Sequence, residues 1–358
     1  MIMYENDTRT VMTLDAGGTN FVFSAIRGCN EVVLPIRLDA VTDNVEHCLE
    51  VLVEGFRQVQ RALPEKPVAI SFAFPGPAHY EAGVIGDLPN FPCFRGGVAM
   101  GPFLADVFGL PVYINNDGNL FAYGEALAGA LPQMNARLEK AGSSQRYKNL
   151  IGLTLGTGFG AGVVLDGVLL NGDNGCGGDV WLMRNVHYPQ QIVEESVSIR
   201  AIQREYREGL GVKDVLSPKD IYEIACGQKT GNKEAARSAF AKMGEAMADS
   251  LAHALDIVDG LVVVGGGLSG AAEFIFPSLI KAINPWVQMQ VLDLTTEEGM
   301  RGFLEDTSVP VPIPGSTRTV RYRKEKKTGI TVSTLGTSKA VSIGAYAFAL
   351  KQLDHSHN

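Results

Sequence analysis

Cysteine is scarce and poorly placed for pairing: Cys29, Cys48, Cys93, Cys176 and Cys226 make five, an odd number without CxxC spacing. That excludes a disulfide framework and an obvious cysteine zinc site, and it fits a reducing cytoplasm. No apolar run approaches the roughly 18 residues of a membrane-spanning helix, and the N-terminal MIMYENDTRT lacks the apolar stretch of a secretory signal. The chain is expected in the cytoplasm, with no membrane partner. Positive charge is short as well. Lysine and arginine number 31 against 39 acidic residues, a net charge of -8, so no basic face is available for a phosphate backbone and no nucleic-acid partner is expected. The one basic run, RTVRYRKEKK (318–327), reads as a solvated loop or edge-strand face.

Glycine is what the chain has in quantity, and its placement is informative. The 358 residues, 46% of them apolar, suffice for two domains with cores of their own. RTVMTLDAGGTNFVFSAIRG reads as two strands joined at Gly17 and Gly18, and NVEHCLEVLVEGFRQVQRAL (44–63) as a helix. VAISFAFPGP (68–77) is a further strand ending in a Pro-Gly turn, and LPVYINNDGNLFAYGEALAG (110–129) is a strand, an Asn-Asn-Asp-Gly corner and a helix. The pattern restarts near residue 149. NLIGLTLGTGFGAGVVLDGVLL is again strand, glycine turn and strand, and Ala236, Phe240, Met243, Met247, Leu251 and Leu255 mark an amphipathic helix over 234–258. That helix leads into GLVVVGGGLSGAAEFIFPSLIKAI, a buried strand, three glycines and a helix. Two related α/β halves result.

Backbone without Cβ atoms can aim successive N–H groups at an anion, so the paired glycine turns are candidate polyphosphate cradles, with Thr19, Asn20 and Thr157 adding donors. Neither turn is GxxxxGK[ST], which excludes a P-loop. GTGFGA satisfies the dinucleotide pattern, but the segment after it, GVVLDGVLL, is strand-like and opens no helix. Two glycine-rich hairpins without function are the alternative at this level.

Asp15 before the first turn, the second turn at Gly156 and the VVVGGG turn resemble the sugar kinase, Hsp70 and actin superfamily, and within it the ROK family of bacterial sugar kinases and sugar-responsive repressors. DAGGTN is similar to the family's first phosphate motif, FPGP to its Pro-Gly turn, LPN (88–90) to a sugar-contacting loop and INNDGN to the catalytic corner. LGTGFGAGVVLDG resembles the second phosphate motif and LVVVGGGLS the nucleoside-side motif.

The resemblance implies an α/β protein of two actin-like (ribonuclease H-like) domains with an interdomain cleft. Residues 1–120 with 338–358 would form the small domain, including a returning C-terminal helix, and 121–337 the large one. It implies an ATP-dependent kinase acting on a hexose or N-acetylhexosamine hydroxyl, the 6-OH, with Mg2+ as cofactor. Asp117 would be the catalytic base; its alternative is a helix N-cap. Gly76, Asn90, Asn116, Asp179 and Glu194 would bind the sugar. Asp15, Gly17, Gly18, Thr19, Asn20, Gly156, Thr157, Gly158, Gly265, Gly266 and Gly267 would bind the nucleotide, Asp15 also holding Mg2+ directly or through water.

The chain also departs from the family. In GCGGDVWLMRNVHYPQQIVEESVS (175–198), Asp179 stands where the first family glutamate is expected, Leu182 where a histidine is expected, and the zinc cysteines are replaced. No zinc site is therefore expected, His187 reads as an ordinary loop residue, and glucose specificity is in question. A non-catalytic sugar-binding role is the alternative function. Only 14 residues precede Asp15, too few for the DNA-binding domain of the family's repressors. Homodimerisation is left open.

Overall fold

The computed structural model describes residues 4–16, 20–88, 93–211 and 215–356. From the N-terminus, β1 (Val11–Ala16), β2 (Asn20–Arg27), β3 (Asn30–Glu31) and β4 (Ile36–Asp39) lead to α1 (Val45–Ala62). Then come β5 (Ala69–Ala73), the hairpin β6 (Ala78–His79) and β7 (Val84–Ile85), α2 (Met100–Phe108), β8 (Val112–Asn115), α3 (Asp117–Leu127) and α4 (Ala130–Lys140). The second stretch holds β9 (Leu150–Leu155), β10 (Phe159–Leu165), β11 (Val168–Leu169), α5 (Ile199–Leu210), α6 (Pro218–Cys226), α7 (Lys233–Val258) and β12 (Leu261–Gly265). It ends with α8 (Ala272–Ile283), β13 (Gln290–Asp293), α9 (Glu297–Leu304), β14 (Val309–Pro312), β15 (Thr319–Tyr322), β16 (Lys327–Val332) and α10 (Thr337–Ser356).

Contacts divide the chain into two compact units. The first comprises Met1–Pro132, Gly162–Gly178 and Thr334–Asn358, the second Gln133–Ala161 and Asp179–Ser333. The first unit carries a sheet of order β3-β2-β1-β5-β8, with β4 pairing β2. β1 and β2 are antiparallel, whereas β5 runs parallel to both β1 and β8. One face is aromatic: Phe23 packs edge-on against Phe56 of α1 at 5.1 Å between centroids, and Phe72, Phe74 and Phe94 extend the cluster. Cys48, Leu52, Phe56 and Val59 put the apolar stripe of α1 on that face, the 3.6-residue period at work. A Cβ at Gly55 would collide with the Phe23 ring, so α1 approaches β2 where it has no side chain.

Every residue of α3 from Gly118 to Leu127 is buried. It crosses α10 in backbone contact, Gly124 lying against Ala340 and Gly344 against Leu120. At each crossing the missing Cβ sets the interhelical distance.

The second sheet has the order β11-β10-β9-β12-β16-β13. β9 and β12 are buried throughout, and β12 is parallel to β9 and β16, the buried apolar run expected of a parallel strand. The six residues read from 234–258 as a helical stripe are all buried in α7. The helix is capped by Asn232, whose side chain accepts from the Ala235 amide. β14 and β15 form a separate, fully exposed hairpin. The basic run is solvated over that hairpin, but its last residue departs from the expectation. Lys327 is buried in β16, where its ammonium donates to the carbonyls of Gly302 and Glu305 at the end of α9. No described helix is long and apolar enough to cross a membrane, and none of the five cysteines forms a disulfide.

Candidate functional site

In the first unit, β8 ends at Asn115 and α3 starts at Asp117, so Asn116 and Asp117 stand at a strand-to-helix corner. Asn116 is the N-cap: its Oδ1 accepts from the Gly118 amide at 2.8 Å. Asp117 is the first helical residue, and its Oδ1 shares the same donor at 2.9 Å. The cap is thus supplied by the neighbour, and the second carboxylate oxygen of Asp117 is not needed to hold the helix.

Asp117 has an exposed surface, while protein atoms around it desolvate its carboxyl. That surrounding protein raises its carboxyl above the ordinary value; the Gly118 amide opposes the shift, and the negative charge of Asp15 adds to it. A carboxylate with a raised pKa is a stronger base than an ordinary one and is suited to taking a proton. Asp15 is the penultimate residue of β1, in a half-buried position. Its carboxylate is a hard oxygen donor beside a second negative charge, a set that suits a divalent cation such as Mg2+. Asn20 opens β2. Gly17, Gly18, Thr19 and Asn90 lie outside the described residues. Gly76 forms a cis bond to Pro77, and a Cβ on it would approach the Tyr80 hydroxyl at 3.2 Å.

Sequence reasoning missed the residues that stiffen this corner. Asn115 is buried, and its Oδ1 accepts from the Asn116 amide at 2.8 Å and from Asn119 Nδ2 at 3.0 Å. Its Nδ2 donates to Asn171 Oδ1 at 3.0 Å. The Asn-Asn doublet was the available signal: a strand-end amide followed by another amide is a turn-forming pair.

In the second unit the turn between β9 and β10 holds Gly156, Thr157 and Gly158. The Gly156 amide donates to the Gly158 carbonyl at 3.1 Å, and the Gly156 carbonyl accepts from Ile199 at the start of α5. A Cβ at Gly156 or at Gly267 would meet no atom within 4 Å, whereas one at Gly158 would sit 2.6 Å from Glu194 Oε2. Gly156 and Gly267 therefore expose bare backbone, and Gly158 makes room for a carboxylate.

Glu194 lies in the short 3-10 turn Val193–Glu195. Its Oε2 accepts from the Phe159 amide at 2.9 Å and its Oε1 from Arg200 Nη2 at 2.9 Å. Arg200 also donates to the Thr157 carbonyl and binds Glu195. One guanidinium ties the turn to the glutamates, a link that six residues of sequence separation conceal. Gly265 ends β12; Gly266 has φ +86° and lies against the Leu155 backbone, which brings the 265–267 turn beside the end of β9.

Asp179 precedes the 3-10 turn Val180–Leu182 and is bonded by the Trp181 side chain, while partial burial raises its carboxyl. Leu182 is exposed. His187 Nε2 stands 3.9 Å from Glu245 Oε2, in a cavity of about 270 Å³ shared with Glu205 and Lys242. Among the described residues no group of three or more His, Cys, Asp or Glu side chains gathers as metal ligands would.

The chain is 58% identical to a solved glucokinase from Parabacteroides distasonis, superposing with a TM-score of 0.91 over 98% of this chain and 99% of that one. The glucokinase of Thermotoga maritima is 27% identical over 294 residues, 76% of this chain and 87% of the relative. A Streptomyces griseus ROK family glucokinase solved with glucose and AMPPNP is 18% identical with a TM-score of 0.63, over 94% of this chain and 98% of that one. The fold is accordingly the α/β architecture of two actin-like domains. A model of the ROK family matches residues 11–297, and with the motifs and the fold in agreement the chain belongs to that family.

Proposed function

We propose that this chain is an ATP-dependent sugar kinase that transfers the γ-phosphoryl group to a hexose or N-acetylhexosamine hydroxyl, the 6-OH. The observation that carries the mechanism is Asp117: a water-accessible carboxylate with a raised pKa, relieved of the capping role by Asn116. The sugar hydroxyl donates to Asp117, which takes the proton as the new P–O bond forms, and the bond from phosphorus to the ADP oxygen breaks. Asn116 has its Oδ1 committed to Gly118, so its Nδ2 is the group available to a sugar oxygen. Glu194, fixed by Phe159 and Arg200, binds sugar hydroxyls, joined in this reading by Asp179, Gly76 and Asn90.

The bare backbone at Gly156 and Gly267, with Thr157, Gly158, Gly265 and Gly266, receives the nucleotide phosphates, together with Gly17, Gly18, Thr19 and Asn20. Asp15 would hold Mg2+, which neutralises phosphate oxygens when bound. In this reading residues 1–120 with 338–358 are the small domain and 121–337 the large one. The absence of disulfides is in keeping with a cytoplasmic enzyme. The glucokinase relatives make glucose the first substrate to test. A coupled ADP-release assay over hexoses and amino sugars tests the proposal: sugar-dependent ADP release supports it, and sugar binding without turnover on any of them favours the non-catalytic reading.

A further inference from the structure

We infer that Asn185 is a positioning residue for sugar binding: its amide clamps the two ends of the 3-10 turn that carries Glu194. The inference rests on the sugar-binding role proposed for Glu194. Asn185 is fully buried, and a buried primary amide is costly unless its donors and acceptors are satisfied. Here four bonds satisfy it. Nδ2 donates to the Ile192 carbonyl at 3.1 Å and to Ser196 Oγ at 2.8 Å. Oδ1 accepts from the amides of His187 at 3.0 Å and Tyr188 at 3.1 Å.

The two donor bonds end on the residues immediately before and after Val193–Glu195. The turn is therefore held from both ends by one side chain. Backbone bonds close the same loop: Asn185 donates to the Gln191 carbonyl at 3.1 Å and Val193 to the Met183 carbonyl at 2.7 Å, while Arg184 and Ile192 form an antiparallel bridge. Val193 is itself fully buried, so the turn cannot shift outward without exposing it. From this anchored turn Glu194 reaches the Phe159 amide and Arg200, and it occupies the space left by Gly158.

Asn185 touches none of the proposed ligand groups, so its effect passes through Glu194. A residue that only stabilised the loop would alter melting temperature and leave the two substrates' KM values alone. A positioning residue changes the KM of one substrate, because a displacement on the order of 1 Å can cost up to about 100-fold.

Asn185→Asp tests the difference, since it keeps an acceptor for His187 and Tyr188 and loses the donor to Ile192 and Ser196. Sugar KM should rise about tenfold relative to ATP KM, with kcat changed less. Ser196→Ala removes one of the clamp bonds without touching the amide, and it should shift the same ratio in the same direction by less. Unchanged sugar KM in both variants, or an equal rise in both KM values, overturns the inference. Glu194→Gln is the control. If that change leaves sugar KM unaltered, the sugar-binding role of Glu194 falls; if it raises sugar KM and the Asn185 and Ser196 variants do not, only the positioning role falls.

Discussion

Asp117 and Glu194 are both carboxylates next to a glycine-bearing turn, and the chain treats them in opposite ways. Asp117 is desolvated by the protein around it, which with the nearby charge of Asp15 raises its pKa against the opposing amides of Gly118, shared with Asn116, and of Asp117 itself. Glu194 has both oxygens occupied, one by the Phe159 amide and one by Arg200. A desolvated carboxylate with a raised pKa is suited to proton transfer, and one paired with a guanidinium to holding a ligand in a fixed geometry. In the proposed function the same functional group takes two tasks, each suited to its neighbours.

The largest effect expected from this contrast belongs to Asp117→Asn. Losing a general base should lower kcat by about 10²- to 10⁴-fold, roughly 3 to 5 kcal/mol in the barrier. The fold should not suffer. A raised carboxyl pKa means that the folded state holds the proton more tightly than the unfolded state, so stability declines as pH rises through that range. Replacing Asp117 with a neutral amide removes the decline, and thermal melts at neutral pH should show an equal or higher Tm. An Asn variant that turns over a good sugar at near wild-type rate removes the distinction between the two carboxylates.

Gly158→Ala addresses the other carboxylate. Its Cβ would stand 2.6 Å from Glu194 Oε2, so Glu194 must move, and sugar KM should rise about 10- to 100-fold in steady-state kinetics. Gly156→Ala, two residues away, meets no atom within 4 Å. Its melting temperature should therefore stay near that of the wild type, while ATP KM rises by about tenfold because the added methyl holds phosphate away from the backbone of the turn. Unchanged ATP affinity in Gly156→Ala would separate this turn from the nucleotide.

The smallest effect sharpens the assignment of the cap. Asn116→Ala should cost about 1 kcal/mol of stability in denaturant unfolding. Asp117→Ala should cost less, because the Gly118 amide keeps its bond to Asn116. The reverse order would make Asp117 the cap.

Local patterning carried the secondary structure where one period dominated. The α7 stripe, the buried β12 run and the strand after GTGFGA are all where spacing and β-branching put them. The glycines were legible as special but not in their separate reasons. Gly156 leaves backbone open, Gly158 accommodates Glu194, and Gly162 allows the start of α3 to approach, since a Cβ there would lie 2.5 Å from the Gly118 carbonyl. Each reason depends on a partner remote in sequence. The partners of Asn115, Asn185 and Arg200 were illegible for the same cause: they include Asn171, Ser196 and the Thr157 carbonyl, and no single-strand or single-helix period encodes such bonds.

The measurement that bears most directly on Asp117 as the proton acceptor is the pH profile of kcat/KM for the wild type beside that of Asp117→Asn. The base acts when deprotonated, so wild-type activity should fall as pH drops through a pKa above the ordinary 3.8, in the direction set by the protein around Asp117 and by Asp15. The residual rate of the Asn variant should lack that acid limb. An acid limb shared by both enzymes would assign the titration to another group and contradict the mechanism.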